Sequence, residues 1–209
     1  MSTGFKLVVI LGFIGTTLLL VTPLLIPKNN VKNYPSKGTG IIAFGDSLVE
    51  GVGSGVKGGF VTNLSAMVKR PIKNYGVSGD TTASALARIT TILAQNPNPE
   101  VVLVLLGGND FLQKIPKEKT FQNLKMIIRT FQNTGAVVVL LGVRGGVLVD
   151  GWEGDFENLA EEYNTVFVPN VLDGLFGNQA YMADTIHPNT AGYEMISKKV
   201  YPELAAVIK

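Results

Sequence analysis

The chain has 209 residues, with 18 basic and 16 acidic side chains and a formal net charge of +2. This length fits one folded domain with an appendage, and the nearly balanced charge argues against a nucleic-acid partner. There is no cysteine and only one histidine, which excludes disulfides and cysteine-based sites and argues against a zinc site. We expect no metal or organic cofactor, and we expect a monomer.

An uncharged apolar run lies near the start of the chain. It spans the twenty residues Leu7–Ile26, and a helix of that length, at about 1.5 Å per residue, would cross roughly 30 Å of bilayer. The run predicts a membrane anchor over residues 1–27, by which a single-pass protein would contact the membrane. A cleaved signal peptide is the alternative, although Thr22–Pro27 shows no small-x-small cleavage pattern.

The rest of the chain is predicted to be a linker followed by one domain. Residues 28–39 are polar without an apolar period, which is typical of a linker, and residues 40–209 alternate between strand-like and helix-like segments. The alternation predicts an α/β doubly wound, flavodoxin-like fold, with a five-stranded parallel sheet and helices on both faces. The predicted strands are Gly40–Phe44, Ile72–Tyr75, Val101–Leu106, Ala136–Gly142 and Thr165–Val168. The predicted helices are Gly59–Val68, Thr82–Ala94, Lys119–Asn133, Asp155–Tyr163 and Asn189 to about Ile208.

Three polar side chains could act together in nucleophilic catalysis. His187 is the only imidazole, and therefore the only one that could perform acid–base chemistry near neutral pH. Asp184 offers a carboxylate to orient it, and Ser47, which follows the first predicted strand, offers a hydroxyl nucleophile. Segments after the strands of such a sheet converge at one edge, where ligands bind. Taken singly, each residue has a structural alternative, such as a surface histidine or a loop carboxylate.

Four short blocks follow one another along the chain. They are Gly45–Leu48, Val77–Thr81, Gly107–Asp110 and Asp184–His187. Together they resemble the four ordered blocks of the SGNH hydrolases, the family with the GDSL signature, and the resemblance covers about residues 41–193. Tyr75–Thr82, Leu86–Ile89 and Val104–Asp110 look most like the bacterial thioesterase, lysophospholipase and arylesterase branch of that family.

The resemblance implies a role for each matching residue. Ser47 would be the nucleophile, and Asp184 and His187 would complete a catalytic triad. The backbone N–H groups of Ser47 and Gly79 and the side-chain amide of Asn109 would form the oxyanion hole. Without the family, Asn109 would equally suit a helix cap. The resemblance assigns Asp46 to support of the loop, and it is not counted among the catalytic residues.

The same resemblance implies a serine esterase, a carboxylic ester hydrolase whose substrate is a small-molecule acyl ester or a lysolipid. Three alternatives stay open: a carbohydrate O-acetylesterase or an acyltransferase on the same triad, or a non-catalytic envelope-binding protein. We expect a membrane-anchored protein with its catalytic domain on the periplasmic or extracytoplasmic side. The lysines oppose this sidedness, because Lys6 precedes the apolar run while Lys28, Lys32 and Lys37 follow it.

Two glycine-containing segments admit other functions. Gly53–Gly58 fits the GxGxxG pattern but does not directly follow a strand, so we expect a flexible loop where substrate enters rather than a nucleotide site. Val143–Trp152 is an apolar loop that either lines an acyl pocket or packs at the surface around the only tryptophan.

Overall fold

A parallel β-sheet forms the centre of the structure, a computed structural model that describes residues 30–143 and 152–209. Its five strands within those residues are β1 Gly40–Gly45, β2 Ile72–Gly76, β3 Pro99–Leu105, β4 Val137–Leu141 and β5 Val166–Val168. They lie in the order β2-β1-β3-β4-β5, which is the flavodoxin-like order. The predicted α/β fold with a five-stranded parallel sheet is therefore confirmed.

Helices cover the sheet in two groups. The α-helices of the described residues are α1 Ser47–Glu50, α2 Phe60–Val68, α3 Thr82–Gln95, α4 Gly108–Leu112, α5 Lys117–Gln132, α6 Glu153–Tyr163 and α7 Thr190–Ala205, and a short 3₁₀ helix spans Gly55–Lys57. α2 packs against α7, whereas α3 and α6 both pack against α5. The short helices α1 and α4 were not predicted, because four or five residues are too few for a helical period to show in the sequence.

Burial on both faces explains the composition of the inner strands. Every residue of β3 and β4 is buried, which requires the continuous apolar runs from which these strands were predicted. β2 lies at an edge of the sheet and exposes Lys73 and Asn74, as suits a strand with an unpaired side. The sheet is fastened to α5 by an edge-to-face contact between Phe44 and Phe131, whose ring centroids are 5.2 Å apart.

Residues 30–39, predicted as part of a linker, lie along the domain and are hydrogen-bonded to it. Val31 is buried in the core. The Asn33 side-chain amide donates to the carbonyl oxygens of Gln132 and Ala136 at 2.8 and 2.9 Å. The polar composition of residues 30–39 indicated a free segment, because a sequence does not show that their polar side chains hydrogen-bond to carbonyl groups about a hundred residues further along the chain. The domain boundary at residue 40 stays a prediction.

The predicted membrane-anchored localisation has to be corrected. Among residues 30–143 and 152–209, no helix is long and apolar enough to cross a membrane. The longest, α5 and α7, have 16 residues each and would extend about 24 Å, short of a hydrocarbon core of about 30 Å. The single-pass anchor was predicted over residues 1–27, which lie outside the described residues. Contact with the membrane through an N-terminal helix is thus unsupported, and we withdraw the localisation drawn from it.

Gly76 at the end of β2 provides a test of how tightly α1 packs on the sheet. A Cβ at Gly76 would collide with the backbone nitrogen of Glu50 in α1, whereas a Cβ at Gly40 would meet nothing within 4 Å. We expect Gly76→Ala to lower the free energy of unfolding by about 1–3 kcal/mol through overpacking. Gly40→Ala, the control, should be neutral or slightly stabilising. Urea unfolding of both variants measures the difference, and equal stability of the two would contradict this packing.

Candidate active site

Ser47 begins α1 directly beyond the carboxyl end of β1. Asp46 caps the helix, because its Oδ1 accepts a hydrogen bond from the backbone N–H of Leu48 at 3.0 Å. As the first residue of the helix, Ser47 has a backbone N–H without an acceptor inside the helix. Its side chain is almost fully buried. The local sequence therefore holds a hydroxyl and a free N–H donor at the carboxyl ends of the strands, where ligands bind in sheets of this kind.

His187 reaches Ser47 from a loop 140 residues further along the chain. Its Nε2 lies 3.0 Å from Ser47 Oγ, and its Nδ1 lies 2.8 Å from Oδ2 of Asp184. The loop is closed on itself, since the N–H of Ala183 donates to the carbonyl of His187 at 2.8 Å and Met182 pairs with Pro188. The three predicted triad residues thus form one hydrogen-bonded chain in the structure.

Asp184 is held in its ionised form. Its Oδ1 accepts hydrogen bonds from the backbone N–H groups of His187 and Ile186, both at 2.7 Å. The backbone donor of His187, its side chain and the Ile186 N–H lower the pKa of Asp184 to about 2. A carboxylate on Nδ1 favours the tautomer in which Nδ1 carries the proton and Nε2 is free to accept one. The arrangement can therefore remove a proton from Ser47 Oγ.

A second carboxylate, that of Asp46, lies next to Ser47 in a contrasting environment. It is buried, and burial raises its pKa to about 7, an effect that the Leu48 N–H and the nearby His187 oppose. Asp46 was not predicted to be a catalytic residue. Asp46 makes no hydrogen bond to His187 in the described structure, in keeping with a role in shaping the loop.

The loop after α1 packs directly against the His187 loop. Gly53 has a φ of +89°, and a Cβ there would lie 2.6 Å from the carbonyl oxygen of Pro188 and 3.3 Å from Cβ of His187. α7 also holds the loop after α1, because Tyr193 Oη donates to the carbonyl of Val52 at 2.8 Å. In the sequence Gly53 stands out only as part of the GxGxxG pattern, and its close approach to the histidine loop was not predicted because it is a contact between distant segments.

Gly79 lies in a tight turn that follows β2. The Asp80 N–H donates to the Val77 carbonyl at 3.1 Å, and Gly79 has a φ of +83°, as the third position of a type II turn requires. Within residues 30–143 and 152–209, the Gly79 N–H donates to no other residue. Glu50 of α1 holds the turn, since its Oε2 accepts from the Ser78 N–H at 2.7 Å. The turn is therefore tied to the helix that carries Ser47.

Asn109 lies in α4, after β3. One N–H of its side-chain amide donates to the Asp80 carbonyl at 3.0 Å, which leaves the second N–H available. The next residue, Asp110, is buried and accepts from the N–H and hydroxyl of Thr82 at 2.8 and 2.6 Å. Asp80 thus links the two predicted oxyanion residues, because it follows Gly79 in the sequence and its carbonyl accepts the Asn109 amide N–H. No described hydrogen bond joins either of them directly to Ser47.

The predicted loop Val143–Trp152 is described only at its two ends. Residues 144–151 lie outside the described residues, and Trp152 is buried against Phe111 and Phe121 at centroid distances of 5.6 and 5.7 Å. Over the described ranges, no three histidine or acidic side chains lie close enough together to hold a metal ion.

Comparison with known proteins identifies the family. The esterase TesA of Pseudomonas aeruginosa is 30% identical to this chain over 179 residues, 80% of this chain and 89% of that protein. The thioesterase 1/protease 1/lysophospholipase L1 of Escherichia coli K12 is 27% identical over 176 residues, 80% of this chain and 84% of that protein. A crystal structure of TesA superimposes with a TM-score of 0.72 at 29% identity, covering 81% of this chain and all of that one. The model of the GDSL-like lipase/acylhydrolase family matches residues 43–195. The chain is therefore an enzyme of the GDSL-like lipase/acylhydrolase family, the SGNH hydrolases that its four blocks resemble.

Proposed function

We propose that this enzyme hydrolyses acyl esters through an acyl-enzyme intermediate on Ser47. One observation carries the proposal: the continuous hydrogen-bonded chain from Ser47 Oγ through His187 to Asp184, with distances of 3.0 and 2.8 Å. A serine hydroxyl is a weak nucleophile near neutral pH and needs a base within hydrogen-bond reach. The 3.0 Å distance between His187 Nε2 and Ser47 Oγ supports His187 as that base.

Acylation begins with attack of Ser47 Oγ on the carbonyl carbon of the ester. As the new C–O bond forms, the Oγ proton passes to Nε2 of His187, and the carbonyl oxygen becomes an oxyanion. The ionised Asp184 stabilises the resulting imidazolium and does not take its proton. The imidazolium then protonates the leaving alcohol or thiol, and the C–O or C–S bond of the substrate breaks.

Deacylation repeats the same steps with water as the nucleophile. His187 accepts a proton from the water, whose oxygen attacks the acyl carbon and forms a second oxyanion. Collapse of that intermediate releases the carboxylic acid and returns the proton to Ser47. One imidazole serves both halves of the reaction, which suits a chain with a single histidine.

We assign stabilisation of the oxyanion in both steps to three hydrogen-bond donors. They are the N–H groups of Ser47 and Gly79 and the free amide N–H of Asn109. The first is unpaired because it begins a helix, and the second because it lies in a tight turn. Donors that are fixed before the reaction lower the activation barrier without having to reorganise. Their stabilisation of the oxyanion is therefore one of the largest contributions to the rate of acyl transfer.

Exposed apolar side chains that neighbour the proposed site residues in the sequence favour a substrate with an apolar acyl group. Exposed apolar side chains are found at Val77, Leu112 and Ile186, each within three residues of a proposed site residue. The relatives are named as an esterase and as a thioesterase and lysophospholipase, enzymes of acyl compounds. We propose that the acyl chain of the substrate lies against this apolar rim, defined as Val77, Leu112 and Ile186.

Replacement of the proposed nucleophile tests the function. We expect Ser47→Ala to lower kcat for p-nitrophenyl esters by several orders of magnitude, on the order of 10⁶, and to abolish labelling by a fluorophosphonate probe. Ser65→Ala, in α2, removes a hydroxyl that donates to the carbonyl of Arg70 beyond the end of that helix, and as the control it should keep both activity and labelling. Hydrolysis by Ser47→Ala at the wild-type rate would refute the proposal.

Replacement of Asp184 by asparagine tests the proposed orientation of His187. We expect Asp184→Asn to lower kcat by about 10⁴, because the amide favours the wrong tautomer. A loss of only a few-fold in kcat would contradict this role. Steady-state kinetics measures the effect, with Asp173→Asn, an exposed carboxylate bound to Lys199, as the control.

The lowered pKa of Asp184 also predicts how stability depends on pH. A carboxylate with a depressed pKa stabilises the fold above its unfolded pKa of about 3.9, and this contribution is lost as the pH falls through about 2. The side chain is half exposed, so we expect less than about 1 kcal/mol. Urea unfolding of wild type and Asp184→Asn between pH 6 and pH 2 should show a difference that narrows only below about pH 4. A difference independent of pH would contradict the assignment.

An acyl-chain profile tests the apolar rim. With p-nitrophenyl esters from acetyl to palmitoyl, we expect KM to fall as the chain lengthens over the first members of the series. Leu112→Ser should raise KM for the decanoyl ester roughly 3- to 10-fold and leave the acetyl ester unchanged. Met126→Ser, which alters an exposed apolar side chain on α5, is the control. A sharp preference for acetyl would refute the apolar acyl chain while leaving the mechanism on Ser47 intact.

A further inference from the structure

Arg88, in the second turn of α3, joins the ends of two strands beneath the active site. Its guanidinium donates to the carbonyl oxygens of Gly45 and Tyr75, both at 2.9 Å, at the carboxyl ends of β1 and β2. The same group lies 4.5 Å from the centroid of the Phe44 ring in β1. Its Nε donates to Oδ2 of Asp80 at 2.7 Å. A planar guanidinium with several fixed donors can make all of these contacts at once, whereas a lysine ammonium cannot.

Asp80 extends these contacts to the proposed oxyanion donors. Its backbone N–H closes the turn that contains Gly79, and its backbone carbonyl accepts the amide N–H of Asn109 at 3.0 Å. Its carboxylate is held from two sides, by Arg88 at 2.7 Å and by the hydroxyl of Ser84 at 2.8 Å. The side chain of Asp80 thus anchors a residue whose backbone contacts two of the three donors.

The third donor is linked through β1. Gly45, whose carbonyl accepts from Arg88, is two residues before Ser47, and the same carbonyl accepts the N–H of Val77 at 3.1 Å. One guanidinium therefore contacts the strand that leads to Ser47, the strand that leads to Gly79, and the residue that holds Asn109.

We propose that Arg88 and Asp80 are positioning residues that keep the three oxyanion donors in register with one another, an inference that rests on the function proposed above. Neither side chain touches the reacting atoms in this scheme. Their effect follows from preorganisation, because a donor stabilises an oxyanion only when it is held in place within a fraction of an ångström.

This role predicts a specific kinetic signature. The oxyanion forms only in the transition state and the tetrahedral intermediate, so loosening its donors lowers kcat and leaves KM nearly unchanged. Loss of one donor costs on the order of 10²–10³ in turnover. Since the donors would be loosened rather than removed, we expect Arg88→Ala to lower kcat about 10- to 100-fold, with KM changed less than about twofold.

The chain contains a matched control at the opposite end of the sheet. Arg70 donates to Oε2 of the buried Glu100 at 2.6 Å, to the Thr39 carbonyl at 3.3 Å and to the Lys209 carbonyl at 3.2 Å. This too is a partly buried arginine that combines a carboxylate with backbone carbonyls, but it lies where β1 and β3 begin. Arg70→Ala should lower the melting temperature and leave kcat at the wild-type value.

The experiment compares Arg88→Ala, Arg88→Lys, Asp80→Asn and Arg70→Ala with wild type. Each is assayed for kcat and KM on p-nitrophenyl butyrate and for melting temperature. We expect Arg88→Lys to recover little of the lost kcat, and we expect millimolar guanidinium to restore part of it to Arg88→Ala but none to Arg70→Ala. If Arg88→Ala does not fold, Asp80→Asn, which keeps the size of the side chain, must show the same selective fall in kcat.

Two results would overturn the inference. The first is that Arg88→Ala has the kcat of the wild type or, if Arg88→Ala does not fold, that Asp80→Asn has it. The other is a fall in kcat in Arg70→Ala as large as that in Arg88→Ala, because kcat would then follow stability alone. Ser47→Ala is assayed in parallel to separate the two proposals. If Ser47→Ala is inactive and Arg88→Ala has wild-type kinetics, only the positioning role fails, whereas an active Ser47→Ala refutes the proposed function itself.

Discussion

The parallel register of β1 with β2 and β3 is the constraint on which the proposed site depends. Gly45 pairs with Gly76 on one side and with Leu105 on the other, so the three strands end side by side. Ser47, the turn with Gly79, and Asn109 each follow one of these ends within four residues. In an antiparallel sheet, neighbouring strands would end at opposite edges and the same residues would be separated. The strand ends therefore bring together Ser47, Gly79 and Asn109, of which the first and last lie 62 residues apart in the sequence.

Two aspartates near the Ser47–His187 hydrogen bond differ in environment. Asp184 is exposed and accepts three hydrogen bonds, which lower its pKa, whereas Asp46 is buried and its pKa is raised to about 7. The two carboxyl groups are chemically identical, and their different surroundings give them different properties. In the proposed mechanism Asp184 supplies the stable negative charge that an imidazolium needs, whereas Asp46 caps the helix that begins with Ser47.

Close packing and side-chain hydrogen bonds hold the loops around the site. Gly53 lets the loop after α1 approach the His187 loop. Tyr193 joins the loop after α1 to α7, because its hydroxyl donates to the carbonyl of Val52. Glu50 and Arg88 tie the Gly79 turn to α1 and to β1. The turn with Gly79 is thus held by side chains of α1 and α3, and the loop after α1 is held by a side chain of α7.

How much could be predicted from the sequence varied with the range of the interaction. The inner strands were predicted correctly because burial on both faces makes them apolar throughout, and this property is local. α1 and α4 were missed because they are shorter than two helical turns. Arg88 was noticed only as part of a matching block, since its partners at residues 45, 75 and 80 are distant or belong to other elements. The packing of Val31 and Asn33 against the domain was missed for the same reason.

By itself, the sequence determined the fold class, the order of the four blocks and the one histidine available for catalysis. Hydrophobic periodicity and residue identity are carried by neighbouring residues, so they can be recognised without coordinates. Only the tertiary structure decided that Ser47 Oγ and His187 Nε2, separated by 140 residues, lie 3.0 Å apart. It also decided that Asp80 and Arg88 link the surrounding donors. Such distances follow from strand register and from the packing of loops on the sheet, and the sequence contains no local record of either.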